Sequence, residues 1–354
     1  MKIISQAPCR VDLAGSTLDI WPLYLFHEGA VTVNIAVDRY TRSILSPRAD
    51  SKIRLRSADL NRECQYESLG ELLRDRKPPL PLAVEIIRFF RPQSGFDLET
   101  GSQAPAGAGI SGSSALIIAT VSAFNRWLHT GYSPAHSEGN AHGYTLEKIR
   151  EISQNIEARI IRVPTGCQDY YPAMYGGVSA IKMSCAGVRR EAIAVEPGEL
   201  ERRIVLAYTG APRNSGINNW EVTKAHIDGS AHVRKNFAQI SAIAQAMRAA
   251  LERADWNEVA RLLRKEWSHR RTNAPGISTA LIDRLVKSTA KAGARAAKVC
   301  GAGGGGCVLF LVEPDARERV ARIIEQEGAT VLPVRVARRG VRVRVEDAAQ
   351  ALGA

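Results

Sequence analysis

The spacing of apolar and polar positions changes several times along the chain, and each change marks an element. Runs at 2–6, 29–37 and 40–45 are rich in β-branched residues with partial alternation, which predicts strands. A short helix is expected over 81–90 and a strand at 96–100. The stretch 113–128 is apolar nearly all round, the mark of a buried helix. Residues 129–144 mix Gly, Ser, Pro, Asn and His without any period and predict a loop. Leu146, Ile149, Ile152, Ile156 and Ile160 recur at steps of three and four, so 146–161 reads as an amphipathic helix. A strand follows at 176–182, and near 195 the character changes. Beyond it come a strand at 203–208, helices at 216–227, 232–253, 256–268 and 278–292, strands at 296–300 and 307–312, and a helix at 314–327. RVARRGVRVR over 335–344 alternates Arg with Val and predicts a terminal hairpin turning at Gly340. This succession predicts an α+β fold in two lobes, 1–195 and 196–354.

A chain of 354 residues has room for two such domains, and 45% hydrophobic with 24% charged residues is ordinary globular composition. No apolar run approaches the ~20 residues needed to span a bilayer. The opening MKIISQAP is too short and polar for a signal peptide, so a cytoplasmic protein with no membrane partner is expected. The six cysteines form no C-x-x-C pair and are given no chemistry. A net charge of +12 raises the question of nucleic acid, but the basic residues are spread out. No aromatic-studded basic sheet accompanies them, so no nucleic-acid partner is expected. A general positive field favours small anionic substrates instead. The pattern leaves a homo-oligomer open.

The candidate chemistry begins at APAGAGISGSSAL, residues 104–116. A small-residue loop opening an apolar helix leaves N–H groups unpaired at the positive end of the helix dipole, an anion site. The Walker pattern is absent, because no Lys precedes the serines. Two further motifs flank this loop, APCRVDLAGSTLD at 7–19 and VCGAGGGGCVL at 299–309.

With the three motifs in this order, the chain resembles the GHMP small-molecule kinases from end to end, and within them the D-glycero-D-manno-heptose 7-phosphate kinases. GCQDYY at 166–171 supports the second likeness. Two departures stand out: GSTL before Asp19, where the heptose kinases carry consecutive glycines, and Ser111-Gly112, where the family shows Gly-Ser.

The resemblance implies a two-lobed GHMP fold, with a first lobe like ribosomal protein S5 domain 2 and a ferredoxin-like second lobe. It implies ATP and Mg²⁺, with phosphoryl transfer to a hydroxyl of a sugar or sugar phosphate. Pro105, Gly107, Ala108, Gly109, Ser111, Gly112, Ser113 and Ser114 would cradle the nucleotide. Glu157 with Ser113 or Ser114 would hold the metal; taken by itself, Glu157 reads as an exposed helix glutamate. Asp169 would orient the attacking hydroxyl, its alternative being an Asx-turn. Arg10 would hold Asp169 ionised, or else pair with Asp12. Asp19, Gly166, Arg213, Ser215, Gly303 and Gly304 would shape the acceptor pocket. Arg213 could grip a phosphate on the substrate, or its neighbours Asn214 and Ser215 could simply cap the next helix. A galactokinase- or fucokinase-like enzyme for a neutral sugar, and a non-catalytic ligand-sensing relative, are the competing readings.

Overall fold

The computed structural model describes residues 1–128, 143–211 and 215–346. In chain order its first half contains β1 (Lys2–Ala14), β2 (Val31–Pro47), β3 (Ile53–Ser57), β4 (Arg62–Tyr66), β5 (Phe96–Ser102), β6 (Val178–Ser184) and β7 (Gly187–Ala192). The helices among them are α1 (Leu69–Arg74), α2 (Pro81–Phe90), α3 (Gly112–Leu128), α4 (Leu146–Ile161) and α5 (Tyr170–Tyr175). The second half adds α6 (Pro197–Arg203), β8 (Ile204–Tyr208), α7 (Ser215–Ile227), α8 (Ala231–Glu252), α9 (Trp256–Arg270) and α10 (Ala280–Lys291). It closes with β9 (Ala294–Val299), β10 (Cys307–Val312), α11 (Arg317–Gln326), β11 (Thr330–Leu332) and β12 (Arg342–Glu346).

The first sheet grows around β2, whose opening half pairs with β6 and whose closing half pairs with β5, while β1 runs antiparallel along its other edge. The runs expected at 29–37 and 40–45 are therefore one strand. The β1–β2 register slips at Pro8/Cys9, where proline has no N–H to give the ladder. The β3–β4 hairpin and the short α1, α5 and α6 have too few residues to display a period. They went unpredicted.

α3 lies on the inner face of this sheet, buried along most of its length as its all-round apolar pattern requires. Phe124 of α3 stacks on Phe90 with 5.3 Å between ring centroids and meets Phe96 edge-on. α4 begins at Thr145, whose hydroxyl accepts from the Lys148 N–H, and its Ile149, Ile152 and Ile156 face the core. The second sheet is antiparallel in the order β11-β8-β10-β9 and carries its own core, centred on Phe310, Val308 and Phe237. Among the described residues no helix is long and apolar enough to cross a membrane.

The C-terminal hairpin does not form. Val336 makes an isolated bridge to Val37, and β12 instead pairs antiparallel with β1, Lys2 opposite Glu346. The alternation seen in the sequence is real, but its ladder partner lies more than three hundred residues away, out of reach of any local reading. Residues 342–346, assigned to the second lobe by sequence, thus complete the first sheet. The returning chain runs tightly over α5, where a Cβ on Gly340 would lie 2.0 Å from the Met174 carbonyl oxygen. Gly340→Ala is expected to lower stability by about 1–3 kcal/mol, the usual cost of overpacking. An unchanged urea midpoint would show that the returning segment is not held against α5.

Candidate active site

The loop of residues 104–111 joins β5 to α3 and is pinned from two sides. Arg10 on β1 donates its backbone N–H to the Ile110 carbonyl at 3.0 Å and its Nη1 to the Gly109 carbonyl at 2.9 Å. From the other lobe, the Cys307 N–H donates to the Ala108 carbonyl at 2.7 Å. Gly107, Gly109 and Ser111 take left-handed backbone, which turns the loop sharply before α3 starts at Gly112. Ala115 is the first N–H of the helix to find an acceptor four residues back, at Ser111. Those before it are left for a ligand. The loop forms one wall of a cavity of about 430 Å³ that Pro105, Gly107, Ala108, Gly109, Ser111, Gly112, Ser113 and Ser114 all line.

Two acidic centres face this cavity. Glu157 on α4 is 6% exposed and accepts hydrogen bonds from Ser113 Oγ (2.7 Å), Ser114 Oγ (3.0 Å) and Tyr170 Oη (2.5 Å). Burial raises its pKa despite these donors, and it has no cationic partner among the described residues. The exposed-glutamate alternative is thereby excluded. Asp169 stands immediately before α5, and its Oδ1 accepts from Arg10 Nε at 2.8 Å and Nη2 at 2.5 Å. It makes no side-chain cap to the helix, which removes the Asx-turn alternative. Burial disfavours the charge on Arg10, but Asp169 and Asp12 together outweigh it and raise its pKa. Arg10 contacts both aspartates at once, since its Nη1 also lies 3.4 Å from Asp12.

Asp19 sits deeper, 3% exposed, and accepts from the Gln168 N–H at 2.9 Å and Gln168 Nε2 at 3.1 Å. Gly166 permits this approach: a Cβ there would lie 1.9 Å from Asp19 Oδ2. Burial and the nearby charge of Asp169 push the Asp19 carboxyl up to about 6. Gly303 and Gly304 do not line the cavity. They pack against Ile277, and the third motif reaches the cavity through Gly301 and Ala302 instead. Arg213 and Asn214 lie outside the described residues. Ser215 begins α7.

Sequence reasoning missed the buried charges behind the cavity. Lys298 on β9 pairs with Asp12 of β1 and with Glu266 of α9, the latter at 2.9 Å, and all three side chains are fully buried. Ser16 joins them, accepting from Lys298 Nζ at 2.6 Å and donating to Asp12. Asp12 also accepts from the Gly301 N–H at 3.1 Å, and Glu266 accepts from the Gly15 N–H at 3.0 Å. Burial would raise the Asp12 carboxyl, but Lys298, Arg10 and Arg270 hold it well below the usual carboxylate range. The available signal was phase: Glu266 and Arg270 fall on the same helical stripe as Val259 and Leu263.

Comparison with known proteins bears on this arrangement. The model of the GHMP kinase N-terminal domain matches residues 81–177, and that of the GHMP kinase C-terminal domain matches 247–330, together just over half the chain. The chain belongs to the GHMP kinases. It is 28% identical to a D-glycero-alpha-D-manno-heptose 7-phosphate kinase of Campylobacter jejuni, over 97% of this chain and 99% of that one. It is 24% identical to a mevalonate kinase of Thermococcus sibiricus, over 99% and 100%. A solved D-glycero-D-manno-heptose 1-phosphate kinase from Bacteroides thetaiotaomicron superposes with a TM-score of 0.75 at 23% identity, covering 98% of this chain and all of that one. This GHMP kinase is accordingly a phosphotransferase with a hydroxyl acceptor, and the α+β fold expected from its sequence is the GHMP kinase fold.

The position of Asp19 in this GHMP kinase gives a pH test. Its folded value of about 6 stands above the ordinary 3.8, so between those values the native state binds a proton that the unfolded chain releases. Stability from this group is present at low pH and is lost as pH rises through about 6. Asp19→Asn cannot ionise, so its stability relative to wild type should improve by up to about 3 kcal/mol between pH 4 and pH 7. A difference that does not vary with pH, read from thermal midpoints, would count against a buried Asp19.

Proposed function

We propose that this GHMP kinase transfers the γ-phosphoryl group of ATP to a hydroxyl of a sugar phosphate of the heptose 7-phosphate type. The observation that carries the reading is the pairing of Arg10 with Asp169 beside the glycine loop, with Asp19 in the same cavity. The Campylobacter jejuni relative, aligned over nearly the whole of both chains, supports the acceptor class.

In this mechanism the loop N–H groups and the start of α3 hold the phosphates. Asp19 accepts from acceptor hydroxyls and sets the sugar against the loop. Asp169, whose Oδ2 has no partner among the described residues, receives or orients the proton of the attacking hydroxyl. The new bond joins that oxygen to the γ-phosphorus as the bond to ADP breaks. Arg10 holds Asp169 in place, so positioning and electrostatics supply most of the rate.

The donors around Glu157 suit Mg²⁺: two serine hydroxyls and a buried carboxylate, all oxygen, with no cation among the described residues to neutralise them. Ser113, Ser114 and Glu157 would hold the ion, which when bound offsets the charge of the phosphates.

ADP release with MgATP should be fastest on heptose 7-phosphate, compared with heptose, galactose, fucose and mevalonate. Asp169→Asn should reduce it by about 10²- to 10⁴-fold without weakening ATP binding. Turnover confined to a neutral sugar would replace the acceptor assignment with the galactokinase- or fucokinase-like one. ATP binding without turnover on any acceptor would favour a ligand-sensing role. In a separate series, Glu157→Gln should raise the Mg²⁺ concentration for half-maximal rate by about 10- to 100-fold, and an unaltered requirement would remove Glu157 from the metal site.

A further inference from the structure

Among the described residues, Thr17 is the only β-branched side chain on left-handed backbone, at φ 72°. A branched Cβ is crowded there, so the conformation persists only where its surroundings impose it. The imposing group is Arg270, the last residue of α9. Its Nη1 donates to the Ser16 carbonyl at 3.0 Å and to Thr17 Oγ1 at 2.8 Å, and its Nη2 donates to the Gly301 carbonyl. The Thr17 hydroxyl in turn donates to Asn219 Oδ1 on α7 at 3.3 Å.

Arg270 is 3% exposed, yet every acceptor it touches is neutral. Among the described residues it forms no ion pair, because Lys298 has taken both Asp12 and Glu266. Its Nε is buried without a partner. Of its five N–H donors, that one and one on Nη2 are left over. Burial lowers its pKa, as an unpaired interior cation requires. Buried charges are ordinarily paired by direct contact, and this guanidinium touches no carboxylate, although Asp12, Glu266 and Asp19 stand near enough to favour its charge. Arg270, Thr17, Asn219 and Asp19 all line the cavity. With its Oδ1 engaged, Asn219 has an amide NH₂ to offer. The cavity wall therefore has a donor-only end at Arg270 and Asn219 and an acceptor end at Asp19.

We infer that Arg270, seated by Thr17 and flanked by Asn219, is the specificity-determining cation of the acceptor subsite. It takes the phosphate monoester already carried by the acceptor, while Asp19 takes hydroxyls. The fork of a guanidinium matches two phosphate oxygens, which an ammonium cannot do. This inference rests on the sugar-phosphate kinase reading and deepens it.

The test measures binding of heptose 7-phosphate, of heptose and of ATP to the full chain by calorimetry, with steady-state rates alongside. Arg270→Lys should weaken heptose 7-phosphate binding by about 10- to 100-fold, as loss of charge-assisted hydrogen bonds does, and heptose binding by less than about 3-fold. ATP binding should not change. Thr17→Gly guards against misfolding of the arginine variant, since glycine takes this backbone freely and the thermal midpoint should hold or rise. It should still weaken the phosphorylated acceptor selectively, because Arg270 and Asn219 lose their common anchor. Equal losses for both acceptors, or a loss of ATP binding instead, would overturn the role of Arg270. So would a wild type that prefers the 7-phosphate and an Arg270→Lys variant that keeps that preference, with the kinase reading left standing. A wild type that binds neither acceptor would overturn both.

Discussion

The position of β1 relative to the second lobe depends on charges that water does not reach. Asp12 on β1, Glu266 on α9 and Lys298 on β9 meet with no solvent between them. Such a group is weak evidence for stability in itself, but removing any one member leaves the others buried and uncompensated, at a cost of about 3–5 kcal/mol. It therefore fixes where the three elements sit. Side chains two apart on a strand share a face, so Arg10 lies on the same side of β1 as Asp12. The pair that aims Asp169 is thus mounted on the strand that the buried charges hold in place, and the Gly301 turn is tied to Asp12 by its own N–H.

The same cavity treats its carboxylates differently. Asp169 is balanced by a guanidinium, Glu157 by hydroxyls alone, and Asp19 by an amide side chain and a backbone N–H. Environment separates the roles of chemically similar groups: one is gripped by a guanidinium at the cavity wall, and the buried ones await something positive or protic. Glu157 and Asp19, which both line the cavity, are raised for the same first reason, burial.

Periodicity made α2 and α4 legible in the sequence, and α4 falls on the expected 146–161. The phosphate loop was legible because small residues before an apolar helix have few other uses. Partnership was not legible. The alternation of 335–344 announced a strand but not that β1 would receive it, and β2 concealed its continuity behind the polar break at Asp38-Arg39. Glu157 sits one position off the apolar stripe, and only the serines of α3 explain why it is buried. Gly303 and Gly304 were placed by motif alone, and the six consecutive small residues of 301–306 do not reveal which of them turns toward the cavity. Arg270 and Lys298 belong to a class that sequence reasoning consigns to solvent, because a charge in the core makes sense only once its partners are known.

The pairing of β12 with β1 also sets an order of events. β1 is synthesised well before one of its two neighbours, which follows it by more than three hundred residues. Until β12 is made, that edge of β1 presents unpaired N–H and C=O groups, the kind of template on which foreign strands add. The first sheet can therefore collapse early, around α3, but it can close only after the whole second half has been translated. A nascent or truncated form ending before residue 342 would carry an open edge beside the residues that hold the active site together.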